Sequence, residues 1–76
     1  MRAPEDAAFA LSCGQRLRAL RLGRGWTQKG LGARAGVSEN YVPRVERGEL
    51  VPSLQIAVAL ARALGVSVAR LVGEGS

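Results

Sequence analysis

The chain has 76 residues, 47% of them hydrophobic, with three aromatics, one cysteine, no histidine and a formal net charge of +5. That length holds one domain and one core, and the apolar share excludes a chain disordered along most of its length. Without histidine or a cysteine cluster there is no ordinary zinc or imidazole site and no implied cofactor.

A single cysteine makes no intrachain disulfide, and there is no signal-type leader and no apolar run long enough to span a bilayer. A cytoplasmic protein with no membrane partner is the expectation. With so few aromatics the core must be built from Leu, Val and Ala, and no strand-like alternation is present, so an all-helical fold is expected.

Residues 1–8 are polar and contain proline, and read as a flexible lead-in to a domain over 9–72, with 73–76 as a tail. The spacing predicts a first helix over 9–24, with Phe9, Cys13, Leu17 and Leu20 as its buried stripe. Cys13 is then most simply a small core hydrophobe, with a reactive or redox-sensing thiol as the lesser alternative, and Trp26 packs beneath the joint that Gly23 and Gly25 make.

A second helix is expected after Thr27, whose hydroxyl caps an unpaired first-turn N–H, with Leu31 and Ala35 inward. Gly36 supplies the positive φ that ends it. Gly30 and Gly32 lie inside this helix at a cost of up to about 1 kcal/mol each relative to Ala. Gly32 could permit close helix approach; Gly30 has no evident reason.

Ser38 is expected to cap a third helix over 39–47, with Val42 and Val45 inward, an outer face of Glu39, Asn40, Arg44 and Arg47, and a stop at Gly48. Pro43 then falls at the fifth helical position, where it removes the bond to the Glu39 carbonyl and crowds it. A bent or partly 3₁₀ opening turn should result. Helix, glycine turn, helix is the geometry that lets a second helix lie in a DNA major groove.

Ser53 caps a fourth helix over 54–64 that Gly65 stops, with Leu54, Ala57, Leu60, Ala61 and Leu64 as its core face. Ile56, Val58 and Ala59 are apolar too, so this helix should be covered on more than one side. A second copy would cover the outer face, through Ile56, Val58 and Ala59 or through Val66 and Val68. A short fifth helix over 68–71 follows Ser67.

Charge sharpens the functional expectation. Eight of the eleven Lys/Arg and only two acids lie between Arg16 and Gly48, so that segment carries +6 and the remainder −1. A run of arginines alone is commonly a solvated face, but here it coincides with the helix-turn-helix pattern and points to a polyanion. Arg suits bidentate pairing with guanine, and Asn with adenine. Arg44 could instead hold phosphate. Glu39 could accept from cytosine, repel phosphate at wrong sites, or merely favour the helix N-terminus. No paired carboxylates, Ser/Cys–His set or phosphate-cradling loop is present, so no enzyme is expected.

GWTQ..L, AGVS, ERG, PSL and ALGVS occur in that order between Gly14 and Leu71. In these residues the chain resembles the Cro/Xre-type, phage-repressor-like helix-turn-helix family over nearly its whole length. The resemblance implies a compact five-helix, all-α DNA-binding domain of the lambda-repressor-like type, acting as a homodimer on an operator. It implies base reading by Glu39, Asn40 and Arg44, and DNA-backbone contacts by Gln28, Ser38, Tyr41 and Arg47, to which the basic Lys29 is added. It also implies a buried ion pair between Arg21 and Glu46. Lys29 and Gly30 stand where the family has acidic or polar residues, Gly32 where it has Ala, and Pro43 where proline is unusual. A transcriptional repressor is the leading expectation. A restriction–modification controller, or the antitoxin of a small toxin partner, fits the same chain, and an activator would touch polymerase. The competing expectation is a protein-interaction module that uses the apolar face of helix 54–64.

Overall fold

The computed structural model describes residues 4–73, with side chains from residue 7 onward. Five helices make up the described residues, with no strand: α1 (Pro4–Gly23), α2 (Gln28–Ala35), α3 (Tyr41–Glu46), α4 (Leu54–Leu64) and α5 (Val68–Val72). None is long and apolar enough to cross a membrane. α1 packs on α3 and α5, α2 on α3 and α4, and α4 on α5. Every helix sends at least one side chain into a single core: Leu17, Leu31, Val42, Val45, Ala57, Leu60, Leu64 and Leu71. Each fully buried Leu or Val contributes about 1.5–3 kcal/mol, which a chain this small cannot spare.

The short-range signals hold. The hydroxyls of Thr27, Ser53 and Ser67 accept from the backbone N–H groups of Gly30, Ile56 and Arg70 at 2.9, 3.2 and 3.2 Å. Gly36 and Gly65 close α2 and α4 with φ of 74° and 73°, values that cost an L side chain its Cβ clearance.

Several expectations are corrected. The helix that should begin at Phe9 begins at Pro4, because a first-turn residue needs no N–H donor. Residues 4–8 are therefore helical rather than a lead-in, while 1–3 lie outside the described residues. At the other end Gly73 caps α5 instead of opening the tail, and 74–76 lie outside. Of the expected α1 stripe, Cys13 and Leu17 are buried and Leu20 packs partly against the core, but Phe9 is 41% exposed, and Ala10, Gly14 and Arg21 complete the inward face. The cause is the approach of α3. A Cβ on Gly14 would collide with the Val45 carbonyl oxygen and lie 2.9 Å from that of Glu46, so that point of α1 admits only glycine.

α3 is shorter than 39–47, and Ser38 does not cap it. Glu39 and Asn40 form a turn closed by the Tyr41 N–H donating to the Ser38 carbonyl at 3.1 Å. Asn40 takes the N-cap place without a side-chain cap bond. This 3₁₀-type opening is what Pro43 requires. In the third helical position its missing N–H is among those left free at any helix start, and the carbonyl it would crowd lies outside the helix. Leu54 is corrected too: it is 75% exposed, at the first position of α4, rather than in the core. Gly32 is buried, yet a Cβ there would meet Ser38 O at 3.6 Å and Val37 at 3.7 Å, ordinary contact, so close approach does not explain it. At Gly30 a Cβ would sit 3.1 Å from the Thr27 Oγ1 that makes the cap, but Ile56 and Arg70 hold the same place after Ser53 and Ser67, so nothing in the structure explains Gly30.

Candidate nucleic-acid interface

α3 is aimed by two devices. Past Gly36, the Val37 N–H donates to the Gly32 carbonyl at 2.9 Å and the Gly36 N–H to that of Ala33 at 3.3 Å, which sets the α2–α3 turn. The second device is the Arg21–Glu46 pair, found as expected. Arg21 Nε donates to Glu46 Oε2 at 2.7 Å and Nη2 to Oε1 at 2.9 Å, with side-chain exposures of 9% and 3%. Arg21 Nη1 donates to the Trp26 carbonyl at 2.8 Å, and Gln28 Nε2 to Glu46 Oε1 at 3.0 Å. One carboxylate thus ties the end of α3 to α1 and to the start of α2. The hydrogen bond to Glu46 raises the Arg21 pKa above its already high ordinary value, against the opposing effect of burial. Among the described residues no buried side-chain N or O lacks a partner.

With Val42 and Val45 buried, α3 turns Arg44 and Arg47 to solvent. Asn40, Arg44 and Arg47 follow at i, i+4 and i+7, one stripe of a helix surface. Lys29, Ser38 and Glu39 are exposed as well. Tyr41 is half-buried against the core; burial pushes its phenol up, partly offset by a hydrogen bond with the Ser53 backbone. Gln28, expected at a phosphate, has one amide hydrogen engaged by Glu46 and the other left to donate.

The cations concentrated in the sequence do not form one surface. Arg21 is consumed internally. Arg24 and Arg34 stack on the Trp26 ring at 4.7 and 4.1 Å from its centroid, so Trp26 holds cations as well as packing on the core. The Arg16 guanidinium lies against Gly73 at the end of α5. Lys29, Arg44 and Arg47 are exposed and do not stack on Trp26.

Glu49, which the sequence offers only as a loop residue, belongs to this site. Its Oε2 accepts from Arg47 Nε at 2.6 Å, its Oε1 from Arg47 Nη2 at 3.2 Å, and Arg44 Nε stands 3.5 Å from Oε1. The Arg47 hydrogen bonds first, and the charges of Arg47 and Arg44 after them, hold its carboxyl below the usual carboxylate range. A signal was present in ERGE, an acid two residues after Arg47, but its meaning depends on the helix ending at Gly48.

The apolar residues expected at a dimer interface divide into two groups. Ile56, Val66 and Val68 lean on the chain's own core. Val58 and Ala59 line an open depression on α4 with Leu54, Gln55 and Arg62. Cys13 is buried, and that burial pushes its thiol up, with Arg16 opposing.

The helix-turn-helix domain family model matches residues 13–72. The chain is 41% identical over 64 residues to an immunity repressor protein of Bacillus phage phi105, covering 84% of this chain and 44% of that protein. It is 43% identical over 53 residues to y4dJ of Sinorhizobium fredii, named an uncharacterized HTH-type transcriptional regulator, covering 70% of this chain and 69% of that one. The crystal structure of the restriction-modification controller protein C.AhdI from Aeromonas hydrophila superposes with a TM-score of 0.81 at 39% identity, over 84% of this chain and 97% of that one. The chain spans less than half the length of the phage repressor it matches. Its five helices, the Gly36 turn and the match over 13–72 coincide, and the chain belongs to the helix-turn-helix family, in the Cro/Xre-type group.

Proposed function

We propose that this chain is a sequence-specific, DNA-binding transcriptional regulator, a repressor or operon controller, that reads the major groove with α3 and the turn before it. The exposed stripe of Asn40, Arg44 and Arg47, on a helix whose direction is set by Gly36 and Glu46, is the observation that carries this reading. The repressor and controller names of its relatives support it. Glu39, Asn40 and Arg44 would meet base edges; Gln28, Lys29, Ser38 and Arg47 would meet phosphates, with Tyr41 at the edge of that surface. A toxin or a polymerase as partner gains no support from the fold or from the relatives.

Selection of binding sites from random duplexes tests the reading. Arg44→Ala should then cost about 1–3 kcal/mol on the selected site and relax preference at one base position. Equal weakening on every sequence would make Arg44 a phosphate contact. Binding should also fall steeply with salt, because neutralised phosphates release counterions; a flat response would remove DNA from the account.

We infer a homodimer on half-sites roughly 34 Å apart, joined through Val58 and Ala59 of α4 together with Leu54. Ile56, Val66 and Val68 would support that face from beneath. Leu54→Asp should weaken self-association at least about tenfold by burying an unpaired charge, with no loss of folding because Leu54 is exposed. Sedimentation that shows an unchanged dimer would move the interface to the Val66–Leu71 side.

A further inference from the structure

Glu49 is placed by backbone, not by chance. The Gly48 N–H donates to the Val45 carbonyl at 2.9 Å and the Glu49 N–H to that of Arg44 at 3.0 Å, the paired bonds that close a helix through a left-handed residue. Gly48 has φ 76°, and a Cβ there would press on Leu11 Cδ2 at 2.7 Å. The turn therefore has one geometry, and it sets an anion beside both arginines of the α3 stripe. Such a pair adds little to stability, since all three side chains are about half exposed. Its consequence is for binding.

We propose that Glu49 is a specificity-determining residue of the DNA interface, which favours operator over other sequences by restraining Arg44 and Arg47. The inference rests on the DNA-binding reading above. Contact with arbitrary duplex is a matter of phosphate charge, and Glu49 subtracts one charge from that surface wherever the protein lands. At the operator the loss is recovered in part, because guanidinium groups held in one arrangement surrender less side-chain freedom on meeting their partners. The two arginines are not held alike. Arg47, at 2.6 Å and in a two-point contact, stays with the carboxylate, while Arg44, at 3.5 Å, is steered by it and released to the groove. A fixed carboxylate near the duplex also penalises any docking that brings a phosphate onto it, which is selection by repulsion.

The test is Glu49→Gln, measured on the selected operator and on a scrambled duplex across a salt series. On the scrambled duplex, binding should tighten by up to about tenfold at 0.1 M salt, with a salt slope steeper by about one unit. Operator binding should change far less, so the ratio of the two falls. In an Arg44→Ala/Arg47→Ala background the same substitution should move that ratio much less, because only the repulsion of phosphate is left; an undiminished change would overturn the restraint of the arginines. Equal tightening on both duplexes, or no change on either, overturns the inference while leaving the DNA-binding reading intact. Wild-type protein that shows no salt-dependent binding to any duplex overturns both. Thermal unfolding of Glu49→Gln should match wild type, because the pair is exposed; a lower midpoint would assign Glu49 to folding instead.

Discussion

Glu46→Ala is expected to destabilise the domain by about 3–5 kcal/mol, the cost of leaving a buried charge unpaired. Arg21 would keep only the Trp26 carbonyl as a partner, and Gln28 would lose its acceptor. A domain of this size has a total stability of roughly 4–11 kcal/mol, so the variant should be largely unfolded at moderate temperature. Urea midpoints at constant m-value measure it. A loss below about 1 kcal/mol would show that water reaches the pair and that the lock on α3 is loose. Replacing both partners, as Arg21→Met with Glu46→Leu, should be far milder than either single change, because no charge is left behind. The pair also has a defined alkaline behaviour. Arg21 is raised in the folded state, so its contribution is complete below the ordinary guanidinium range and is lost as pH rises from there through the raised value. Moderate alkali should not weaken it.

The second large effect is at Gly14. Judged as an exposed helix interior, Gly14→Ala should stabilise by up to about 1 kcal/mol. The structure reverses the sign. The new Cβ would collide with the Val45 carbonyl oxygen and approach that of Glu46 at 2.9 Å, and both are backbone atoms that cannot swing aside. Overpacking of this kind costs about 1–3 kcal/mol, and more where helices must separate. α3 would be pushed off α1, so operator binding should fall further than stability alone explains. Gly32→Ala is the comparison: its Cβ meets only ordinary contacts at 3.6 and 3.7 Å, so helix propensity should win and the unfolding midpoint should rise. If Gly14→Ala also raises the midpoint, the close packing of α1 on α3 is wrong.

Gly14 and Glu49 show where reading the chain stops short. Nothing in the residues around Gly14 marks it as a contact, since its partner lies some thirty positions away in Val45 and Glu46. The same contact turned the inward stripe of α1 from Phe9 to Ala10. Glu49 reads as loop because its partners are defined by how α3 ends. The +6 of the segment overstates the charge free to meet a polyanion, because Arg21 is paired internally with Glu46, and Arg44 and Arg47 stand beside Glu49.

By itself the sequence determined whatever is decided within one helical turn. The caps at Thr27, Ser53 and Ser67, the glycine stops at 36 and 65 and the existence of five helices follow from spacings of three or four residues, because capping bonds and positive φ are local; the family came from resemblance in its ordered motifs, and the expected Ser38 cap failed. The strain at Pro43 was legible for the same reason, although the start of α3 at Tyr41 was not. Tertiary structure alone decided which face of α1 is buried, that Leu54 stands outside the core, and that Glu49 holds Arg44 and Arg47. Those outcomes depend on how near a second element comes, and on which distant side chain competes for the same charge.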